Sequence, residues 1–579
     1  MTNKDNYIFL TRGNVGKVIS RMAIPTIAGM LVTSIYNLVD AYYVGQINTQ
    51  ATAAVGVAFP AMAIVQAIGF FFGQGSGTYI SRQLGAKRRN EAERMASTSF
   101  YLSIITGVAL AIVALLFLEP LSLAFGSTPT ILPYTKTYLG IMLLGTPIVT
   151  ATMTLNNQMR FQGNAVSAMV GMMTGAVLNV ALVPLFTFTF GMGIAGTAIG
   201  TILSELVGFI VLYMLAIRGG NLRLTLKFIT LNKHYMTEML KGGTPSLSRQ
   251  GLASVSTMLL NLAAASFGDS AIAGMSIVGR VSFVVFSVVI GIGQGFQPFC
   301  GFNFGARLFK RVRKGYFYAI KLCLMFLVVC CVAGFYFAEE VIDLMRHDPA
   351  VVEVGAAALR WQIITWPLTA FIIMSNMALQ TSGWAISANV VAALRNGLCF
   401  IPLIIVLPIY WGIFGVEVCQ TFADVISAAI SLPIMVRYFR ALIGFVFQLF
   451  FDVFLVFVQS VEFGNVFCEF VVDFRHFFGF DSFHFASENG FFAGKLFGAV
   501  VFRESNLNVL LFADFEAFEL LFETRDKGAG AEAEVVIFGV AAVEFHSVNA
   551  AGEVDGDEIA LPACSVVLNF DEAGLTILR

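Results

Sequence analysis

Over its first 440 residues the chain alternates long apolar runs with short polar stretches. The runs are roughly 20 residues or longer, enough for a helix to cross the hydrocarbon core of a bilayer. Twelve spans are predicted, at about 18–40, 51–80, 97–118, 135–159, 165–188, 193–217, 243–266, 271–300, 316–338, 354–380, 385–409 and 412–436. The first run is too long for the apolar segment of a cleavable leader, and polar residues precede it, so no secretory signal is expected. The pattern predicts an all-α polytopic membrane protein.

The runs repeat one another. Gly73-Gln74-Gly75 returns as Gly293-Gln294-Gly295, and Gly85-Ala86-Lys87 returns as Gly305-Ala306-Arg307, both at a shift of 220 residues. Pro25 falls on Pro245, and Ser167-Ala168 on Ser387-Ala388, with the same shift. At a shift of 219, Gly193-Ile-Ala-Gly196 meets Gly412-Ile-Phe-Gly415, and Glu205 meets Asp424. A single shift over so long a stretch implies a duplicated bundle, with one six-helix lobe in residues 1–225 and another in 226–440. Duplicated bundles are a common architecture of secondary transporters, which bind substrate between the repeats. A carrier is therefore expected.

Composition agrees: 57% of the 579 residues are apolar, 12% are charged, and the mean hydropathy is +0.80. A soluble chain carries about 25% charged residues. Basic residues cluster in alternate loops, as Arg82, Lys87, Arg88, Arg89 and Arg94, then Arg218 to Lys241, then Arg307 to Lys314. By the positive-inside rule both termini are expected in the cytoplasm of a cell-membrane protein. The eight cysteines have no metal-ligand spacing and the five histidines fall outside the predicted spans. No nucleotide-binding motif or catalytic constellation is present, so neither an enzyme nor a cofactor is expected, and an ion gradient, H⁺ or Na⁺, is the expected energy source. No nucleic-acid partner is expected either, and the protein is expected to work as a monomer.

Residues 441–579 depart from this. The first 440 residues carry 29 Lys and Arg against 15 Asp and Glu, while the rest carry 6 against 21, so the overall net charge of −1 hides two opposite stretches. The tail holds 26 of the 57 phenylalanines and no Tyr, Trp or Met. Phe445–Phe451 and Phe454–Phe457 have β-type composition. Two origins fit: an opposite-strand or shifted reading of the gene, in which Glu and Lys codons become Phe and Leu, or an acidic cytoplasmic segment. No function is assigned to it.

Charge inside a membrane costs roughly 2.5–3.5 kcal/mol at mid-helix, so each instance is a candidate for function. Asp40 ends Tyr36-Asn37-Leu-Val-Asp40 in the first span, with Tyr36, Asn37 and Asp40 on one face. A carboxylate there can bind H⁺ or Na⁺. The alternative is a wet outer helix end. In the fifth span Asn179 precedes Pro184, which cannot donate the helical bond to Val180 and leaves an acceptor free. Thr197, opening the sixth span, offers a hydroxyl. Glu205 and Asp424 are secondary candidates. Arg395 is the expected ion-pair partner of Asp424, whereas Glu205 has no evident one. Arg249, Gln250 and Arg280 either line a cavity in the second half or snorkel.

In these residues the chain resembles the multidrug and toxic compound extrusion (MATE) family. The motifs are Tyr36-Asn37-Leu-Val-Asp40 with Val44-Gly45, the Gln-Gly and Gly-Ala-[Lys/Arg] pairs of spans two and eight, Gln162-Gly163, Asn179, and Pro245 with Arg249-Gln250. The series Arg395, Pro402, Gly412-Ile-Phe-Gly415, Gln420 and Asp424 extends the match, which covers roughly residues 10–440. The resemblance implies two six-helix lobes in a V, and export of amphipathic, mostly cationic drugs against inflow of H⁺ or Na⁺. In one branch of the family an ion site maps onto Asp40, Asn179, position 183 and Thr197. Position 183 is Val183 here, so the second acid of that site is missing. Two rival readings are a lipid-linked saccharide flippase of related topology and a membrane receptor or scaffold without transport.

Overall fold

The structure, a computed structural model, describes residues 3–218, 221–443 and three strands at 535–538, 565–571 and 574–578. It falls into two units, Met1–Phe450 and Phe451–Arg579. The helices of the first unit are α1 (Asn3–Arg12), α2 (Val15–Gly45), α3 (Thr49–Gly85), α4 (Arg89–Leu116), α5 (Leu118–Ala124), α6 (Leu132–Leu144), α7 (Thr146–Phe161), α8 (Ala165–Pro184) and α9 (Gly193–Arg218). A second series follows as α10 (Lys233–Ala265), α11 (Asp269–Gly305), α12 (Phe309–Tyr336), α13 (Ala338–Met345), α14 (Pro349–Ser382), α15 (Ala385–Ala393), α16 (Phe400–Trp411) and α17 (Ile413–Ile443). Wider π turns extend α8 (Leu185–Thr189) and join α15 to α16 (Leu394–Leu398).

The membrane body is all-α. Among the described residues ten helices are long and apolar enough to span a bilayer, and α6 with α7, bent by 49° between them, makes eleven. The sequence predicts twelve. The difference is α10, whose 33 residues are ample in length but carry Lys241, Ser246, Ser248, Arg249 and Gln250 through the middle. That polarity faces other helices: Ser246 and Gly242 accept hydrogen bonds from Gln380, and Arg249 donates to Asn376. Buried polar groups of this kind dilute hydropathy without forbidding a span. The fourth and eleventh predicted spans are each broken, by Gly145 between α6 and α7 and by the π turn before α16.

The duplication appears in the backbone. α3 and α11 each have 37 residues, and α4 and α12 each have 28. Lys87 and Arg307 adopt left-handed φ of 60° and 58°, the only non-glycine residues to do so among those described. Each terminates its helix the same way. The next N–H reaches back five residues, Arg88 to Gln83 and Leu308 to Asn303, both at 2.8 Å. This six-residue closure satisfies carbonyls that a helix end leaves free. Gly163 and Gly383 repeat the device at φ 91° and 84°.

The two series pack through glycine faces. A Cβ on Gly75 of α3 would stand 2.5 Å from the Met239 carbonyl of α10, and one on Gly295 of α11 would stand 2.5 Å from Ala23 Cα of α2. Gly85 lies against the Phe302 backbone and Gly305 against that of Arg82, again exchanging partners between the series. The glycine-rich stretches therefore serve close helix approach, as small residues do in membranes. We expect Gly75→Val and Gly295→Val each to destabilise the protein by about 1–3 kcal/mol through overpacking. Thermal unfolding in detergent measures this, and Gly56→Val, which would meet nothing within 4 Å, is the control.

In the second unit the described strands are β1 (Val535–Phe538), β2 (Ser565–Asp571) and β3 (Gly574–Leu578), antiparallel in the order β1-β2-β3. Val536 pairs with Val567, and Leu568 with Ile577. The β-type segments noted at 445–451 and 454–457, and most of the tail reading, fall outside the described residues.

Candidate functional site

Asp40 lies five residues before the end of α2, half-buried, with Oδ1 shielded from solvent and without a hydrogen-bond partner among the described residues. The side chains of Tyr36 and Asn37 are outside the described residues. One turn beyond Asp40, Tyr43 meets Phe188 edge-on at 6.3 Å, which brings this end of α2 against the π turn following Pro184. Pro184 does not end its helix. It opens a wider turn, and Gly196 and Gly200 of α9 receive that turn's backbone, with the Gly200 Cβ position 3.0 Å from Val183 Cα.

A polar ladder runs down α9 beside it. Thr187 and Thr197 share a hydrogen bond at 2.9 Å between their hydroxyls. Thr201 donates to the Thr197 carbonyl at 3.0 Å, and Asn179 Nδ2 donates to Thr201 Oγ1 at 3.2 Å. Asn179 is 3% exposed, and its Oδ1 is buried without a partner. So Asn179 and Thr197 lie in one ladder, through Thr201. Thr187 and Thr201 were not anticipated, although Thr201, one turn after Thr197, is a signal the sequence offered. Val183 is fully buried, and its side chain contributes no oxygen. Glu205 sits one further turn along α9, with no hydrogen bond or ion pair to a described residue.

The second half is arranged differently. Arg395 projects from its π turn, donates from Nε to Asp424 Oδ1 at 2.8 Å, and lies 4.8 Å over the Phe286 ring. Gln420 and Thr369 also donate to Asp424, at 2.8 and 2.9 Å, and Asp424 is 1% exposed. This carboxylate has its donors already. Arg249 donates to Asn376 Oδ1 at 3.1 Å and has no carboxylate partner among the described residues. Gln250 is half-buried and its carbonyl accepts from Ser254, while Arg280 is exposed on α11. Among the described residues the candidates thus fall into separate groups rather than one constellation.

A third polar group, not among the candidates read from the sequence, joins the halves near the basic loops. Gln297 donates to Gln74 at 3.1 Å, and Gln74 to Asn157 at 2.9 Å. Arg160 bridges Asn157 and Gln294. Beside it, Arg82 pairs with Glu238 at 2.8 Å and donates to the Thr381 carbonyl at 3.1 Å. Gln74 and Gln294, repeated inside apolar runs, were the available clue. These bonds latch α3 and α7 of the first series to α11 of the second, and α3 to α10 and α14.

A buried polar ladder in the first half, a self-satisfied ion pair in the second and hydrogen bonds that join the two series suit a carrier. Known proteins place it further. The MatE family model matches residues 25–185 and again 245–406, two copies displaced by the repeat shift. The multidrug export protein MepA of Staphylococcus aureus is 27% identical over 439 residues, 75% of this chain and 96% of that protein. MepA of Staphylococcus saprophyticus is 27% identical over 441 residues, with the same coverage. Among solved structures, an outward-facing multidrug resistance MATE family transporter of the MOP superfamily matches with TM-score 0.72 at 26% identity, covering 76% of this chain and 99% of that one. A MOP superfamily transporter from Pyrococcus furiosus, whose binding pocket has reverse polarity, matches with TM-score 0.72 at 25% identity, covering 75% of this chain and 98% of that one. The relatives are transporters and not enzymes. This chain belongs to the MatE family of multidrug efflux transporters, as a multi-span membrane protein built on a duplicated helical bundle.

Proposed function

We propose that the protein is an antiporter that exports amphipathic, mostly cationic small molecules in exchange for H⁺, with Asp40 as the coupling residue. The observation that carries this reading is the shielded, unpartnered Oδ1 of Asp40 beside the kinked end of α8. Protonation removes a charge from that place and changes what α2 can bind on α8 and α9. A ligand shifts a two-state equilibrium only by its differential affinity for the two states, and about 1.4 kcal/mol of coupling gives a tenfold change in substrate affinity. The latch at the basic loops then opens as the far end closes, with both termini on the cytoplasmic side and a single chain sufficing.

H⁺ is preferred to Na⁺ because a hard cation takes six or more oxygen ligands in the calcium-like case and still several in smaller sites. Here Val183 is packed against Gly200 where a second carboxylate would have to stand. The test is dye efflux from proteoliposomes under separate H⁺ and Na⁺ gradients. Efflux driven by H⁺ alone is the expected result, and a chain ending at residue 443 should give the same rate. Efflux driven only by Na⁺ would reverse the ion assignment.

A further inference from the structure

Glu205 is the acid that the exchange described above leaves unused. It lies on α9 at the third position of the series Thr197, Thr201, Glu205, each four residues from the last and so on one face of the helix. Twelve residues separate it from Gly193 and thirteen from Arg218, which puts it roughly 18–20 Å from either end of α9, at mid-depth. It faces inward. Its neighbours one turn away are Thr201, which binds Asn179, Gly208, which lies against Gly175 of α8, and Phe209, which stacks on Phe100 of α4 at 6.4 Å.

Among the described residues no cation pairs with it. α8 has no ionisable residue. On α7 the ionisable group is Arg160, committed to Asn157 and Gln294 at the basic end. α6 offers Tyr134, Lys136 and Tyr138, with Lys136 bound to Glu119 outside the bundle. α4 offers Tyr101 at the stacked rings, with its Arg and Glu residues at the basic end, and α9 itself adds Tyr213 and Arg218. α2 contributes Lys17 and Arg21 at its start, and Tyr36 (its side chain outside the described residues), Asp40, Tyr42 and Tyr43 toward its end. Its repeat counterpart Asp424 has the Arg395 guanidinium; Glu205 has none. Meanwhile Asn179 Oδ1 and Thr154 Oγ1 in the same half are buried without partners. A carboxylate adds only acceptors to such a place, whereas a carboxylic acid adds a donor.

We propose that Glu205, on the face of α9 that also carries Thr197 and Thr201, is a second proton-carrying carboxyl of the exchange, so that two protons enter for each substrate exported. This rests on the antiport reading above. Each step is a proton transfer: the carboxylate becomes –COOH on the outer side and gives the proton up on the inner side, with no other bond formed or broken. With a monovalent cationic substrate, two protons in for one charge out moves one net charge per cycle. Exchange of one proton for one such cation would move none.

The test uses the full chain in proteoliposomes with a monovalent fluorescent cation. In the wild type, a K⁺ diffusion potential set with valinomycin at equal pH should drive the dye. One charge per cycle makes about 59 mV worth a tenfold change in accumulation ratio. Glu205→Gln should still exchange dye under a pH gradient but lose the response to potential, and Glu205→Asp should restore it. Equal responses to potential in wild type and Glu205→Gln would overturn the proposal. So would a wild type driven by the pH gradient but blind to potential, while a wild type driven by neither would instead defeat the antiport reading. Should Glu205→Gln fail to fold, dicyclohexylcarbodiimide labelling of the wild type decides. Modification of Glu205 that falls as pH rises and is slowed by substrate supports a proton on it, and an unlabelled Glu205 between pH 5 and pH 9 overturns it.

Discussion

The Asp40→Asn protein is expected to insert and to unfold at the wild-type temperature, yet to export no more dye than empty liposomes. Asparagine has nearly the shape of aspartic acid and mimics its neutral form, so it should suit the half-buried site whose Oδ1 has no described partner. Nothing that holds α2 in place depends on the charge: the helix packs by Ala23 against Gly295, by Ile27 against Gly291, and by the Ser20 hydroxyl on Tyr318 at 3.1 Å. What disappears is this position's ability to differ between two protonation states, and without that change in α2 a proton on Glu205 is not coupled to export. Binding should persist. Dye binding at wild-type affinity with efflux at background is the expected pair of measurements, and wild-type efflux in this variant would remove Asp40 from the coupling step.

The largest loss of stability is expected from Arg395→Met. Asp424 is 1% exposed, and its strongest donor is the Arg395 guanidinium, itself held over Phe286. Gln420 and Thr369 remain but are neutral donors. Removing one partner of a buried ion pair leaves a charge without compensation and costs about 3–5 kcal/mol. Arg395 also projects from a π turn, so the variant loses a polar contact between that turn and α17. The paired change Arg395→Met with Asp424→Leu should recover most of the loss, since a buried pair replaced by apolar residues of similar volume is often neutral or better. Thermal unfolding in detergent distinguishes these outcomes. A single variant as stable as wild type would show that Asp424 is solvated in the membrane.

The difference between Asp424 and Glu205 shows where sequence reading stops. They hold matching places in the repeat, and a carboxylate at that position is visible in both. That one is clasped by Arg395, Gln420, Thr369 and Thr365, and the other by no described side chain, depends on α11, α14 and a π turn around Asp424, elements up to about 140 residues away. The Asn179 ladder was half legible, because Asn179 and Thr197 are polar residues in apolar runs. Thr201, which joins them, is a hydroxyl that a helix can satisfy by itself and so carries no alarm. Of the latch, Gln74 and Gln294 show in the sequence only as repeated letters, and Asn157, Arg160 and Gln297 carry no signal there.

The sequence alone determined that this is a duplicated, helical membrane protein, because hydrocarbon admits only elements that satisfy their own backbone, and apolar length and periodic repetition record that demand directly. It also located the membrane charges, since each is an exception to a strong rule. The tertiary structure decided what those charges do. Whether a carboxylate is paired or free, whether a polar helix such as α10 is turned inward, and which glycines let the halves touch depend on neighbours distant in the chain. Those neighbours are brought together by packing, and packing is a property of surfaces that no local pattern encodes.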